Sequence, residues 1–139
     1  MNLNRYNNLR APGKITTPFM GSTRGESRHP GVDFAAPSGT AIPAFADGVI
    51  IGVGRTNNGM GNVVTLKDSG GNNHQYGHLQ SAVVRPGMKV KKGQTIATMG
   101  RSGNVYSPTN SDPSHLDIRI STAYGKWKNP MTYLRNFNG

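Results

Sequence analysis

Four histidines and six acidic residues carry most of the chemistry this 139-residue chain can offer. His29 and Asp33 stand four apart in the run Ser-Arg-His-Pro-Gly-Val-Asp-Phe. An imidazole and a carboxylate at short fixed spacing are a natural ligand pair for a divalent metal such as zinc. Pro30 removes a backbone donor and Gly31 is a poor helix former, so the segment is not expected to be helical. Fully extended, it would hold the two Cα atoms roughly 13 Å apart, too far for easy convergence on one ion. A bend at Pro30-Gly31 would fold the carboxylate back toward the imidazole. The plainer alternative is a Pro-Gly turn flanked by polar residues.

Two further segments carry titratable faces. In Ser-His-Leu-Asp-Ile-Arg-Ile, strand alternation puts His115, Asp117 and Arg119 on one face and Leu116, Ile118 and Ile120 on the other, core-directed one. His115 and Asp117 would then lie about 6.5–7 Å apart at Cα, close enough to serve one site. The same parity argument puts His74, Tyr76 and His78 on a shared face. Taken alone, His74 reads as a solvated hairpin histidine, while His78 and His115 could equally be hydrogen-bonded structural residues. A hydrolytic zinc site needs three protein ligands, an open position for water and a proton-transfer group nearby, and this inventory supplies them without surplus.

The elements that must position these groups are short. Gly 19 and Pro 9, spread throughout, cut the chain into β-length segments. Strands are expected at Thr40–Phe45, Gly48–Val53, Asn62–Lys67, Asn73–His78, Lys89–Val90, Thr95–Met99 and His115–Ser121. Residues 68–72 read as a hairpin loop, and Arg101–Ser114 as the longest loop. Residues 1–14 form an Asn-rich lead-in to a domain over 15–139, and Met131–Phe137 is at most a short helical turn. The expected fold is mostly β: a single compact domain of antiparallel sheets.

Composition narrows the function. With no cysteine, thiolate metal sites, disulfides and cysteine nucleophiles are excluded. Lys and Arg total 16, for a net charge of +10, which favours anionic partners such as nucleic acid, an anionic cell envelope or a membrane surface. The basic residues are scattered and not interleaved with aromatic stacking platforms, so general attraction is supported over specific nucleic-acid binding. The N-terminal residues lack the apolar core of a signal peptide, and no apolar run reaches membrane-spanning length.

The ordered motifs resemble the lysostaphin-type (LytM-like) zinc metallopeptidases that cut peptide bonds in bacterial peptidoglycan. The likeness runs from about Ile15 to Ile120. It comprises Ile-Thr-Thr-Pro-Phe at 15–19, His-Pro-Gly-Val-Asp-Phe-Ala-Ala-Pro-Ser-Gly-Thr at 29–40 and Ala-Asp-Gly-Val-Ile at 46–50. Tyr-Gly-His-Leu at 76–79, Val-Lys-Lys-Gly-Gln-Thr-Ile-Ala at 90–97 and Ser-His-Leu-Asp-Ile at 114–118 complete it. The resemblance implies antiparallel sheets under a loop-walled groove, one Zn2+ ion, His29 and Asp33 as metal ligands, and His78 and His115 as the catalytic pair. It implies a peptidoglycan endopeptidase acting on cross-bridges or stem peptides in the cell wall or periplasm. With no signal peptide seen, a bacteriolytic phage-encoded or virion-associated enzyme, or a domain of a larger protein, is expected.

Two positions depart from the family pattern. The last family motif is His-x-His, its second histidine being the third zinc ligand; here it is His115-Leu116-Asp117. Parity aims Asp117 where that ligand belongs, and a carboxylate oxygen can bind zinc. The competing reading is a degenerate site, in a peptidoglycan-binding module or activator of the same fold. Retention of both catalytic histidines favours Asp117 as ligand, with His74 a substitute that needs unusual geometry. The second departure is the lack, between Phe19 and His29, of the tyrosine that some family members carry there; Tyr106, in the long loop before His115, could reach the groove instead, the plainer reading being a surface loop tyrosine.

Overall fold

In the computed structural model, residues 9–21, 28–103, 105 and 112–134 are described. Alternating apolar residues set the strands. In order these are β1 (Lys14–Thr17), β2 (Gly31–Ala35), β3 (Ala41–Pro43), β4 (Gly48–Arg55), β5 (Asn62–Asp68) and β6 (Asn73–Gly77). β7 (Leu79–Ala82), β8 (Lys89–Val90), β9 (Thr95–Met99), β10 (His115–Ser121) and β11 (Trp127–Lys128) follow, then a 3-10 turn at Pro130–Tyr133. The larger sheet runs β1-β2-β10-β6-β5-β4-β8, with β11 added beside β10; the smaller runs β3-β9-β7. The named pairings are antiparallel. The mostly β, antiparallel expectation therefore holds.

Side chains from both sheets meet in one core. Val32, Phe34, Ile50, Leu66, Tyr76, Leu116, Ile118 and Ile120 come from the large sheet, and Ile42, Leu79, Ile96 and Met99 from the small one. All are fully or almost fully buried. Leu9 joins the core and bridges to Leu134.

The bounds of β3, β4, β5 and β6 differ from expectation by one or two residues at an end, and four strands were missed. β1, β2, β7 and β11 were not among the expected strands. β2 matters most: the chain bends at Pro30 and is extended from Gly31 onward, so the bend lies at the start of the segment only. β2 is held by pairing on both sides, to β1 and β10, which a local reading of Pro-Gly cannot reveal. Gly31 is where strands approach closely: a Cβ there would lie 2.1 Å from the Ile118 carbonyl oxygen.

Candidate metal centre

Asp33 and Asp117 are direct register partners across β2 and β10. Because Val32, Phe34, Leu116 and Ile118 turn into the core, pleating sends both carboxylates to the opposite face. His29 precedes β2 and is 1% exposed. Its backbone is pinned at both ends, since His29 N–H donates to Gly21 O at 2.8 Å and His29 O accepts from Met20 N–H at 2.7 Å. The imidazole Nε2 thereby comes 2.9 Å from Asp33 Oδ1 and 3.5 Å from Asp117 Oδ1.

These three residues are buried, and their ligand atoms lie within 4.8 Å of one another. Zinc bonded to nitrogen and oxygen at about 2.0–2.1 Å in a tetrahedral arrangement holds its ligand atoms about 3.3 Å apart. Separations of 2.9 and 3.5 Å straddle that value. One borderline imidazole nitrogen with two hard carboxylate oxygens is a fitting donor set for such an ion.

His78 and His115 stand beside this cluster with ring centroids 4.6 Å apart. His115 comes from β10, two residues before Asp117, as parity required. The face shared by His74, Tyr76 and His78 is not found. His74 and Tyr76 are fully buried, opposite Ile120 and Ile118, whereas His78 lies just past β6 with a φ of 62°. This left-handed residue reverses the side-chain direction, bringing His78 Nε2 within 4.0 Å of Asp117 Oδ2. Parity cannot foresee such a turn.

Backbone carbonyls set the tautomers of both rings. His78 Nδ1 lies 2.7 Å from Ser102 O and His115 Nδ1 lies 3.1 Å from Pro113 O. A carbonyl only accepts, so each Nδ1 donates and each neutral ring keeps its Nε2 lone pair free of the proton. Burial pushes the His78 pKa down, the nearby His115 adds to this, and the Ser102 bond and the two aspartates only partly oppose it. His78 is thus a neutral acceptor near pH 7.

Two supports were not evident from sequence. Arg119 grips Asp117 with a two-point fork, Nη2 donating to Oδ2 at 2.8 Å and Nε to Oδ1 at 3.1 Å. Alternation placed them on one face but could not give this pairing. Asp112 accepts from Ser114 N–H at 3.0 Å and Ser38 N–H at 3.1 Å, tying the approach to β10 to the turn after β2. The Ser114 hydroxyl bond, then these backbone bonds, bring the Asp112 pKa to about 2.

His74 is neither solvated nor near the cluster. Its Nε2 donates to Asp68 Oδ2 at 2.9 Å, and its Nδ1 accepts from Tyr76 OH at 3.4 Å. Tyr76 OH in turn accepts from Phe45 N–H at 2.9 Å. Burial lowers the His74 pKa more than Asp68 raises it. Burial alone would raise the Asp68 pKa, but bonds from His74 and Asn72 outweigh it and hold it low. A neutral His74 donating to an ionised Asp68 satisfies both directions, and the role is structural. Tyr106 lies outside the described residues.

The same sequence and fold features recur in known proteins. A model of peptidase family M23 matches residues 27–130. The murein hydrolase activator NlpD of Escherichia coli is 37% identical over 122 residues, covering 88% of this chain and 29% of that protein. The peptidoglycan DD-endopeptidase ShyC of Vibrio cholerae is 38% identical over 104 residues, covering 75% of this chain and 22% of its own length. This chain therefore spans under a third of either relative. A crystal structure of the catalytic domain of the prophage-encoded M23 protein EnpA from Enterococcus faecalis, in a single-residue variant, matches with a TM-score of 0.72 at 29% identity. That match covers 93% of this chain and 98% of the other.

Proposed function

This chain belongs to peptidase family M23, and from that premise we propose that it is a zinc-dependent endopeptidase hydrolysing peptide bonds in bacterial peptidoglycan. The observation that carries the reading is the convergence of five side chains on one face. His29, Asp33 and Asp117 form the buried donor cluster, with His78 and His115 paired beside it. Zinc held by His29, Asp33 and Asp117 would supply Lewis acidity and lower the pKa of a bound water toward about 7. The chain's own residues do the rest. His78, neutral and with Nε2 facing the cluster, accepts a proton from the attacking water. His78 then returns that proton to the leaving amine, while His115, its Nδ1 held by Pro113 O, stabilises the developing oxyanion from Nε2 when that nitrogen also carries a proton.

The net charge of +10 suits attraction to an anionic wall. The likeness to ShyC supports peptidoglycan as substrate, and that to a prophage-encoded catalytic domain supports a phage-borne origin. Purified protein tests the reading. Stoichiometric zinc and chelator-sensitive release of peptide ends from cell walls are expected, with His78→Ala and His115→Ala abolishing release while zinc is retained. A chain that holds zinc yet releases no peptide ends would refute it.

A second reading is favoured by the 37% identity to an activator of murein hydrolases and by the Arg119 grip on Asp117. Here the fold binds and stimulates another hydrolase without cutting. It predicts stimulation of a separate cell-wall hydrolase, undiminished in His78→Ala.

A further inference from the structure

We propose that Arg119 and a divalent metal ion compete for Asp117, with Arg119 acting as the built-in counter-ion of the metal-free site. The inference rests on the proposed role of Asp117 as a metal ligand. Its starting point is charge. Asp33 and Asp117 face each other across β2 and β10, and their side chains are only 13% and 4% exposed. Two carboxylates so close and so buried repel, and each carries a desolvation cost unless a cation or hydrogen bonds compensate it. Arg119 is that cation for Asp117, bonding both oxygens at 2.8 and 3.1 Å.

The fold makes room for this fork. Arg119 is the register partner of Gly31, and a Cβ at Gly31 would come within 2.8 Å of the Arg119 Cγ. A residue with any side chain at position 31 would displace the arginine stem. The absence of a Cβ at Gly31 thus serves the guanidinium as well as the strand contact.

The consequence for metal follows from Coulomb's law. A carboxylate accepts at about four lone-pair positions, and Arg119 takes one on each oxygen. The same Oδ1 lies 3.5 Å from His29 Nε2, so it faces the donor cluster while held from behind. A metal ion bound there gains less from Asp117 than from an unpaired carboxylate, and it is repelled by the fixed positive charge. Arg119 therefore stabilises the folded chain without metal and weakens metal binding, leaving a site loaded only when metal is plentiful.

Zinc affinity measured by chelator competition, with melting temperature measured with and without zinc, tests this on the intact chain. Arg119→Gln keeps a hydrogen-bond donor and removes the charge. It should bind zinc at least about tenfold more tightly than wild type, melt lower without metal, and gain more on adding zinc. Arg119→Lys keeps the charge and loses the fork; its affinity should stay within about threefold of wild type. If Arg119→Gln cannot fold without metal, folding in zinc should rescue it, and failure of zinc to rescue would overturn the proposal. Equal or weaker zinc binding by Arg119→Gln would overturn it too, leaving the endopeptidase reading intact if wild type holds zinc. A loss of 10–100-fold in Arg119→Lys would instead make Arg119 a residue that positions Asp117. Absence of zinc binding in every form would overturn both this inference and the endopeptidase reading.

Discussion

Gly31→Ala is the sharpest probe of how the fold builds the donor cluster. The added methyl carbon would stand 2.1 Å from Ile118 O, 2.9 Å from Ile118 C and 2.8 Å from Arg119 Cγ. Real Cβ contacts to backbone are longer than 3.0 Å, so β2 and β10 must part by about an ångström at this point. Overpacking of this kind costs typically about 1–3 kcal/mol. With an unfolding entropy of about 2.1 cal/mol/K per residue, a chain of this length loses about 3–10 °C in Tm. Asp33 and Asp117 pair two residues further along the same ladder, so the parting also spreads the ligand atoms. Zinc affinity should fall together with Tm, read by chelator competition and thermal melting. Gly54→Ala is the control, since nothing lies within 4 Å of its would-be Cβ, and it should leave both unchanged. Wild-type stability and zinc affinity in Gly31→Ala would refute this account of the β2–β10 contact.

Other expectations follow from the same geometry. Asp117→Ala removes one donor and leaves Arg119 without this carboxylate; breaking such a buried pair costs about 3 kcal/mol, and zinc retention should drop sharply, measured by metal analysis after dialysis. Tyr76→Phe strips the hydroxyl that accepts from Phe45 N–H, and a buried donor left unpaired costs about 1–3 kcal/mol, to be read by denaturant unfolding. Stability should also fall on acidification. His74 and His78 both titrate below the ordinary 6.5 in the fold, chiefly through burial, so the unfolded chain takes up their protons first. Their contribution is complete above about pH 7.5 and declines as pH drops through 6.5, by up to about 1.4 kcal/mol per pH unit for each histidine. Asp68, held low in the fold, adds a further loss below about pH 4. A Tm that is flat or rising between pH 7 and pH 5 would contradict these assignments.

Local pattern was enough for the elements with clean alternation. β10 is the clearest case, since Leu116, Ile118 and Ile120 are fully buried and the intervening polar residues face the donor cluster. β4, β5, β8 and β9 also lie where expected, to within two residues; β6 was located, but its His74–Tyr76 face turns into the core instead of forming a titratable face with His78. β2 was not, because its strand character comes from neighbours on both sides while Pro30 and Gly31 signal a turn. The direction of His78 was illegible for a different reason: a single left-handed residue between β6 and β7 reverses parity, and no periodicity encodes it. His74 looked solvated because hairpin histidines usually are; its burial depends on Asp68 and on Tyr133, whose ring centroid lies 5.2 Å away and which is distant in sequence. The fork of Arg119 was within reach of alternation, which put it beside Asp117, but the rotamer that closes it depends on the missing side chain at Gly31.

The central claim is that these five residues make a working hydrolytic site. The most direct measurement is mass spectrometry of purified peptidoglycan incubated with the zinc-loaded chain, beside a chelated sample restored with zinc. The account predicts muropeptides with newly exposed amino and carboxyl ends at one class of peptide bond, absent after chelation and recovered with zinc. Peptide bonds left intact by a fully zinc-loaded chain would contradict it.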